Sequence, residues 1–251
     1  MARQKGIIKL EGTLGDITFF KSGDGYMARE NAPVSANRIA TDPAFERTRE
    51  NNSEFKTAAT AGKLVRDAVH ILLKDAKDRY TSTRLLKEML NVLHTDDNSI
   101  RGQRKVAWGN LELLQGFEFN SAALLSNTLF APYTATINRA AGTLAVDIPS
   151  FIPANSITAP AGSTHFKIVS CGLEVNFADG ITVADIKSTD ALPWNGIGTA
   201  PISMAGKVTA NSTHPLFLLL GIQFLQVVNG IAYPLKSSAF NSLGIIKVSS
   251  R

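Results

Sequence analysis

Between residues 55 and 80, apolar residues recur every three or four positions, which is the spacing of one face of an α-helix. Asp42 followed by Pro43 predicts where this helix begins, because Asp accepts hydrogen bonds from free N–H groups and Pro needs no partner at the first helical position. Charged residues of both signs occupy the other positions, as on a solvated helix surface. The apolar stripe consists of Phe55, Ala58, Ala59, Gly62, Val65, Val69, Leu72, Ala76 and Tyr80.

Two further helical segments follow after short connections. The run LLKEMLNVL, residues 85–93, repeats the helical spacing, and GQRKVAWGNLELL, residues 102–114, indicates a third helical piece. Helices that are joined by short loops are usually antiparallel neighbours. We therefore predict a region of antiparallel helices over residues 41–115.

From Phe117 onward the pattern changes to short runs that alternate apolar with polar residues or are rich in β-branched residues. Turn residues separate these runs, and Asn229-Gly230 is a strong hairpin signal. Seven to nine such strands predict an antiparallel β-sandwich of immunoglobulin-like or fibronectin-like type over residues 116–251, with its own core. Its predicted inward residues are Phe166, Ile168, Leu173, Val175, Phe217, Leu219 and Phe224.

The first 40 residues are predicted to form a β-ribbon followed by a polar connector. The stretch GTLGDITFFKSGDGYMARE, residues 12–30, separates short β-rich runs by glycine turns, which indicates a β-meander of about three strands. Ile17 and Phe19 belong to one face and Thr18 and Phe20 to the other, so both faces are partly apolar. Such a small ribbon is marginally stable in water unless it is covered. The fold class is therefore α+β, and the predicted assembly interface consists of Ile17, Phe19, Phe20 and Tyr26.

Charge is distributed unevenly along the chain, whose formal net charge is +5. Residues 1–105 contain 19 Lys and Arg against 14 Asp and Glu, whereas the other residues contain seven of each kind. A basic segment is typical of proteins that contact nucleic acid, although most charges on helices are simply solvated. The densest group gives three candidate anion contacts, Arg101, Arg104 and Lys105. No zinc finger and no helix-turn-helix signature accompanies them.

Residue types that carry out catalysis or bind metals do not form recognisable motifs here. The four histidines are far apart in the sequence, and the single cysteine, Cys171, lies in an apolar run. Asp96-Asp97 is interpreted as part of a polar loop that ends a helix rather than as a catalytic pair. We therefore predict no enzymatic activity, no cofactor and no metal, and no small-molecule substrate is evident.

Hydropathy gives the expected location. No apolar run is long enough to cross a bilayer, and the opening residues lack the apolar core of a Sec signal peptide. We expect no membrane contact and a location that is either cytoplasmic or within an assembly such as a virion.

The order of three motifs resembles that of uncharacterised proteins from Bacteroidota genomes. The motifs are G-x-x-G-D-I-T-F-F-K-S-x-D-G from Gly12, DPAFERTRENNSEF over residues 42–55, and QRKVAW over residues 103–108. The chain is also loosely similar to phage-associated proteins that begin with a glycine-rich ribbon. The resemblance covers about residues 5–120 and supplies no activity and no functional residue. It implies a virion or assembly component.

Two hypotheses about function follow. The first is a non-enzymatic structural subunit that forms a homo-oligomer, such as a filament or shell, through its N-terminal ribbon. The alternative is a cytoplasmic module that binds nucleic acid or another protein through the basic first part of the chain.

Overall fold

The computed structural model describes residues 1–30, 34–76, 78–235 and 240–250. It confirms the mixed α and β character: an N-terminal sheet, helices in the middle and antiparallel sheets in the C-terminal part follow one another. The chain forms two compact units, Met1–Asn51 and Asn52–Arg251. The helices after residue 52 and the C-terminal strands therefore belong to one unit, and the predicted boundary at residue 115 does not separate them.

The first unit contains a four-stranded antiparallel sheet with the strand order β1-β4-β3-β2, one strand more than expected. Its strands are β1 (Ala2–Arg3), β2 (Gly12–Leu14), β3 (Ile17–Ser22) and β4 (Gly25–Glu30). Residues 31–33 of the predicted connector lie outside the described residues, and Ala36–Thr41, which begins in the same connector, forms a short helix, α1. Asp42 accepts a hydrogen bond from the Ala44 N–H at 2.9 Å, which confirms the predicted cap. It precedes the 3-10 turn Pro43–Phe45 and helix α2 (Glu46–Ala68).

The long helices of the second unit are antiparallel, as predicted. Helix α2 is followed by α3 (His70–Leu73) and α4 (Thr81–His94). Arg66 Nη1, near the end of α2, donates a hydrogen bond to Ser82 Oγ, near the beginning of α4, at 2.7 Å. Glu54 Oε2, in the first half of α2, lies 3.6 Å from Nε2 of His94, the last residue of α4. The predicted third helical piece is instead a pair of 3-10 turns, Val106–Trp108 and Leu111–Leu114.

The predicted apolar stripe does not lie on a single helix, because α2 ends at Ala68, and the stripe is buried in its middle but not at its ends. Ala58, Val65 and Val69 are buried, whereas Phe55 is 52% exposed and Tyr80 is 60% exposed. Next to Phe55, the charged residue Glu54 is buried. At this point in α2, the side of the helix that faces the core is therefore not the side that the predicted stripe indicated.

The C-terminal strands form two antiparallel sheets. A six-stranded sheet has the order β12-β11-β7-β8, with β13 also paired to β11 and β9 to β7, and a three-stranded sheet has the order β10-β6-β5. Asn229 and Gly230 both adopt positive φ, 52° and 78°, which confirms the predicted hairpin turn. The strands are β5 (Thr134–Asn138), β6 (Thr143–Ile148), β7 (His165–Asn176), β8 (Ile181–Ser188), β9 (Leu192–Pro193), β10 (Ile202–Lys207), β11 (Leu216–Val228), β12 (Ile231–Pro234) and β13 (Ser242–Ser249), and the short helices between them are α5 (Leu125–Thr128) and α6 (Pro153–Ser156).

The six-stranded sheet contributes to two hydrophobic cores. The helix-side core joins Leu173, Val175, Phe217 and Leu219 to residues of α2 and α4. The sheet-side core joins Phe166, Ile168 and Phe224 to residues of the three-stranded sheet. All seven predicted inward residues are thus buried, but the expected independent core of residues 116–251 is wrong, because its strands share one core with the helices. These pairings do not confirm an immunoglobulin-like topology.

A polar cluster attaches the beginning of α4 to the segment before α5. Asp78 Oδ2 accepts hydrogen bonds from Arg84 Nη2 at 2.6 Å and from the Ser121 N–H at 2.7 Å. Thr81 Oγ1 donates to the Phe119 carbonyl at 2.6 Å. Burial by itself raises the pKa of Asp78, but the hydrogen bonds from Ser121 and Arg84 outweigh it and hold this pKa well below its usual range.

Candidate functional site

Strands β3 and β4 contain all four residues that were predicted as an assembly interface. Their register pairs Lys21 with Tyr26. Because successive residues of a strand point to opposite faces, Ile17, Phe19 and Tyr26 share one face of the sheet and Phe20 lies on the other. The structure therefore brings three of the four residues to one surface and presents the fourth on the reverse side.

The described residues of the first unit bury neither face of the N-terminal sheet. None of the described residues of Met1–Asn51 is buried. Ile17 is 45% exposed, and Phe19, Phe20 and Tyr26 are only half-buried. A stable sheet of this size normally covers at least one face with a hydrophobic core, and the described residues of Met1–Asn51 do not supply that cover.

A loop between β1 and β2 adds two strongly exposed isoleucines to this unit. Gln4 closes the loop: its Nε2 donates to the Leu10 carbonyl at 3.1 Å and to the Met27 carbonyl at 3.0 Å, and its Oε1 accepts from the Leu10 N–H at 2.9 Å. Between these attachments, Ile7 is 102% exposed and Ile8 is 80% exposed. The loop is thus held at both ends and presents apolar side chains at its tip.

Cationic side chains lie over the aromatic rings of the sheet. Lys21 Nζ is 5.4 Å and Lys9 Nζ 6.0 Å from the Tyr26 ring centroid, and the Arg29 guanidinium carbon is 5.4 Å from the Phe20 centroid. Such contacts are weakly attractive in water and stronger when a partner excludes it. Acidic residues are almost as frequent as basic residues in this part of the chain: residues 1–30 contain five Lys and Arg in total and four Asp and Glu in total.

The candidate anion contacts lie in the loop after α4, but they do not form one open basic patch. Arg104 Nη1 lies 3.8 Å from Glu54 Oε1, so its charge faces a buried carboxylate. Lys105 Nζ lies 5.3 Å from the Trp108 ring centroid. Arg101 is exposed on the same loop. The three residues are thus close in sequence and differ in environment.

Two buried acids, which the sequence pattern did not single out as important, organise this loop. Glu54 Oε1 accepts the Gly102 N–H at 2.8 Å. Asp96 accepts the N–H groups of Asn98 at 3.0 Å and Lys105 at 2.9 Å. Burial alone raises the pKa of Asp96, but these hydrogen bonds hold it below its usual value. The run Asp-x-Asn-Ser, typical of a turn closed by an Asp side chain, was the available signal for Asp96; for Glu54 no local signal existed.

The described part of the chain offers few other chemical groups. No cluster of three or more His, Cys, Asp or Glu that could hold a metal ion occurs among the described residues. Cys171 is buried, and burial, together with the charge of Asp185, raises the pKa of its thiol to about 12, which makes it a poor nucleophile near neutral pH. Within the same described residues, every helix is too short or too polar to span a bilayer.

Comparison with known proteins adds no relative. No protein-family model matches the chain, and neither a curated protein nor a solved structure matches it significantly.

Proposed function

We propose that the protein is a non-enzymatic structural subunit that self-assembles through its N-terminal sheet. The observation that carries this proposal is the absence of any buried residue among the described residues of Met1–Asn51. Fully covering a side chain such as Phe19 or Phe20 contributes about 1.5–3 kcal/mol. Contact with a partner supplies that cover and removes the aggregation hazard of an open apolar sheet.

A second copy of this chain is the partner that best fits the charges. The near balance of acidic and basic residues over 1–30 means that two copies of the sheet do not repel each other strongly. The sheet also has two partly apolar faces and two edge strands, β1 and β2. Surfaces that differ on the two sides of one unit favour head-to-tail contacts, which produce rings or filaments.

The alternative, a cytoplasmic module that binds nucleic acid or another protein through the basic first part of the chain, has weaker support. A nucleic-acid interface needs several cations that are free to neutralise phosphates. Arg104 faces Glu54, and residues 1–30 are nearly neutral. We also propose that the protein is located within an assembly, which includes a virion-type one. The proposal further includes an immunoglobulin-like relationship between the two C-terminal sheets.

The test compares the oligomeric state of the wild type with that of the double variant Phe19→Ser, Phe20→Ser. Light scattering after size-exclusion chromatography, followed by negative-stain imaging, should show regular oligomers for the wild type and monomers for the variant. Circular dichroism should show that the helices and C-terminal sheets of the variant remain folded. The matched control is Phe55→Ser, Phe130→Ser, which removes two exposed phenylalanines from the other unit.

Three results would reject the proposal: a wild type that stays monomeric at all concentrations, a Phe19, Phe20 variant that still assembles, or a control variant that dissociates equally. A complex with DNA that dissociates as salt is raised, formed by a monomeric wild type, would support the alternative.

A further inference from the structure

The second unit contains a cleft of about 640 Å³ that the proposed assembly does not use. One wall is a stripe of α2 that includes Thr60 and Leu64, and another is the turn Val106–Trp108. The turn between β7 and β8 and the pair His214-Pro215 complete the lining. We call this space the α2 cleft. Its volume lies within the range of about 300–1,000 Å³ that is usual for small-molecule sites.

Hydrogen bonds within the protein fix the walls of the α2 cleft. Ser53 Oγ donates to the Gly102 carbonyl at 2.7 Å, which attaches α2 to the loop before the Val106–Trp108 turn. In the β7–β8 turn, Asn176 Oδ1 accepts the Ala178 N–H at 3.0 Å. The Val175 N–H donates to the Pro215 carbonyl at 3.1 Å. A ligand would therefore meet a preformed site and would order little of the protein on binding.

The floor of the cleft is apolar and continuous with the helix-side core. Val106 is buried, and Leu64 and Phe177 pack against that core while they line the cleft. Trp108 remains 48% exposed at the cleft. An indole that is half open to solvent beside an apolar floor can stack on a flat or chain-like apolar group.

The polar lining has an excess of positive charge. Lys56 and Lys105 both line the cleft and are exposed, and Lys105 Nζ lies near the Trp108 ring. The acid among the lining residues is Asp179, whose Oδ2 already accepts a hydrogen bond from Asn176 Nδ2 at 2.7 Å. An ammonium group beside an aromatic ring and an apolar floor is complementary to a molecule with an apolar body and one anionic group.

We propose that the α2 cleft binds a small amphipathic organic anion, with its apolar body against Leu64, Trp108 and Phe177 and its carboxylate or sulfonate near Lys56 and Lys105. The cleft lies wholly within Asn52–Arg251, so this site does not depend on the assembly proposed above.

The experiment uses 8-anilinonaphthalene-1-sulfonate as the probe and decanoate as its competitor, with the full-length protein. We expect saturable binding of one probe molecule per chain and displacement by decanoate but much less by decanol, which lacks the charge. The Trp108 emission should shift to shorter wavelength on binding, and this shift should be absent in Trp108→Phe.

Two cleft variants and one control decide the outcome. Lys56→Gln, Lys105→Gln should weaken probe binding about tenfold, the effect of losing two partly exposed charge contacts. Thr60→Trp should remove binding by filling the cleft, with its melting temperature reported alongside. Lys63→Gln, Lys74→Gln removes the same charge from exposed positions outside the cleft and should bind like the wild type.

The proposal is overturned if the wild type shows no saturable binding, if both cleft variants bind as tightly as the control, or if decanol displaces the probe as well as decanoate does. Displacement by an acidic apolar peptide at lower concentration than decanoate would assign the cleft to a protein segment instead and would equally overturn it.

Discussion

Glu54 and Arg104 face each other at 3.8 Å although 50 positions separate them in the sequence. Glu54 is buried in the first half of α2, and Arg104 belongs to the densest basic group of the chain. This pairing shows why a cluster of basic residues in a sequence is an uncertain sign of anion binding: a buried carboxylate from a distant element already neutralises part of its charge.

We predict that Asp78 is required for stability at neutral pH. The change Asp78→Ala leaves Arg84 and the Ser121 N–H without their common acceptor, which should cost about 2–4 kcal/mol in the free energy of unfolding. Urea denaturation at pH 7 measures this loss. The control Asp97→Ala removes an exposed carboxylate from the loop after α4 and should cost less than about 0.5 kcal/mol.

The same carboxylate predicts a pH dependence of stability. Because the folded state lowers the pKa of Asp78 below the unfolded value of about 3.9, its contribution is present above about pH 4 and is lost as the pH falls further. The stability difference between the wild type and Asp78→Ala should therefore shrink between about pH 4 and pH 2. A difference that is constant over this range would contradict the assignment of the lowered pKa to Asp78.

Phe217 and Phe224 lie in the same strand, β11, but in different hydrophobic cores. We predict that Phe217→Leu and Phe224→Leu each lower the free energy of unfolding by about 1–2 kcal/mol, and that the double variant shows the sum within about 0.5 kcal/mol. Equilibrium unfolding in urea tests this. A coupling energy above about 1 kcal/mol would mean that the two residues share one core after all.

Local periodicity was sufficient to predict the individual strands, but it could not predict which elements pack on each face of the sheet. The seven predicted inward residues all lie in β7 and β11, and Asn229-Gly230 forms the expected turn. A half-buried sheet alternates apolar and polar residues, whereas a sheet covered on both faces can be apolar throughout. Leu173 and Phe166 are both buried. Only the fold reveals that helices cover Leu173 and that the three-stranded sheet covers Phe166.

The two faces of the N-terminal sheet could be predicted from the sequence, whereas the α2 cleft could not. Phe19 and Phe20 are adjacent in a short strand, and strand geometry alone places them on opposite faces. The α2 cleft unites residues from α2, the turn after Lys105 and the β7–β8 turn, which are far apart in the chain. No spacing rule relates them, because their proximity depends on how helices pack on the sheet.

Gly142 makes a backbone turn that a side chain would disrupt. It has a φ of 63°, and a Cβ atom there would clash with the Val208 carbonyl oxygen. Gly162 has a φ of 87° with open space around it. We predict that Gly162→Ala costs about 1 kcal/mol from backbone strain alone and that Gly142→Ala costs at least about 2 kcal/mol more. Thermal or urea unfolding of both variants measures the difference, and equal losses would show that the segment after β10 moves away freely.

The exposed loop tip gives the sharpest test of where the proposed contact between copies lies. We predict that Ile7→Ser, Ile8→Ser weakens association while leaving the fold intact, because both side chains are almost fully exposed within one chain. If both become buried in the assembly, losing them removes several kcal/mol of apolar contact and should raise the concentration needed for assembly at least about tenfold. Sedimentation velocity over a concentration series measures this shift. The matched control Ile181→Ser, Ile197→Ser removes two exposed isoleucines of the second unit and should leave association unchanged. If the Ile7, Ile8 variant assembles normally while the Phe19, Phe20 variant dissociates, the contact is restricted to the faces of the sheet. The loop held by Gln4 is then excluded from the contact.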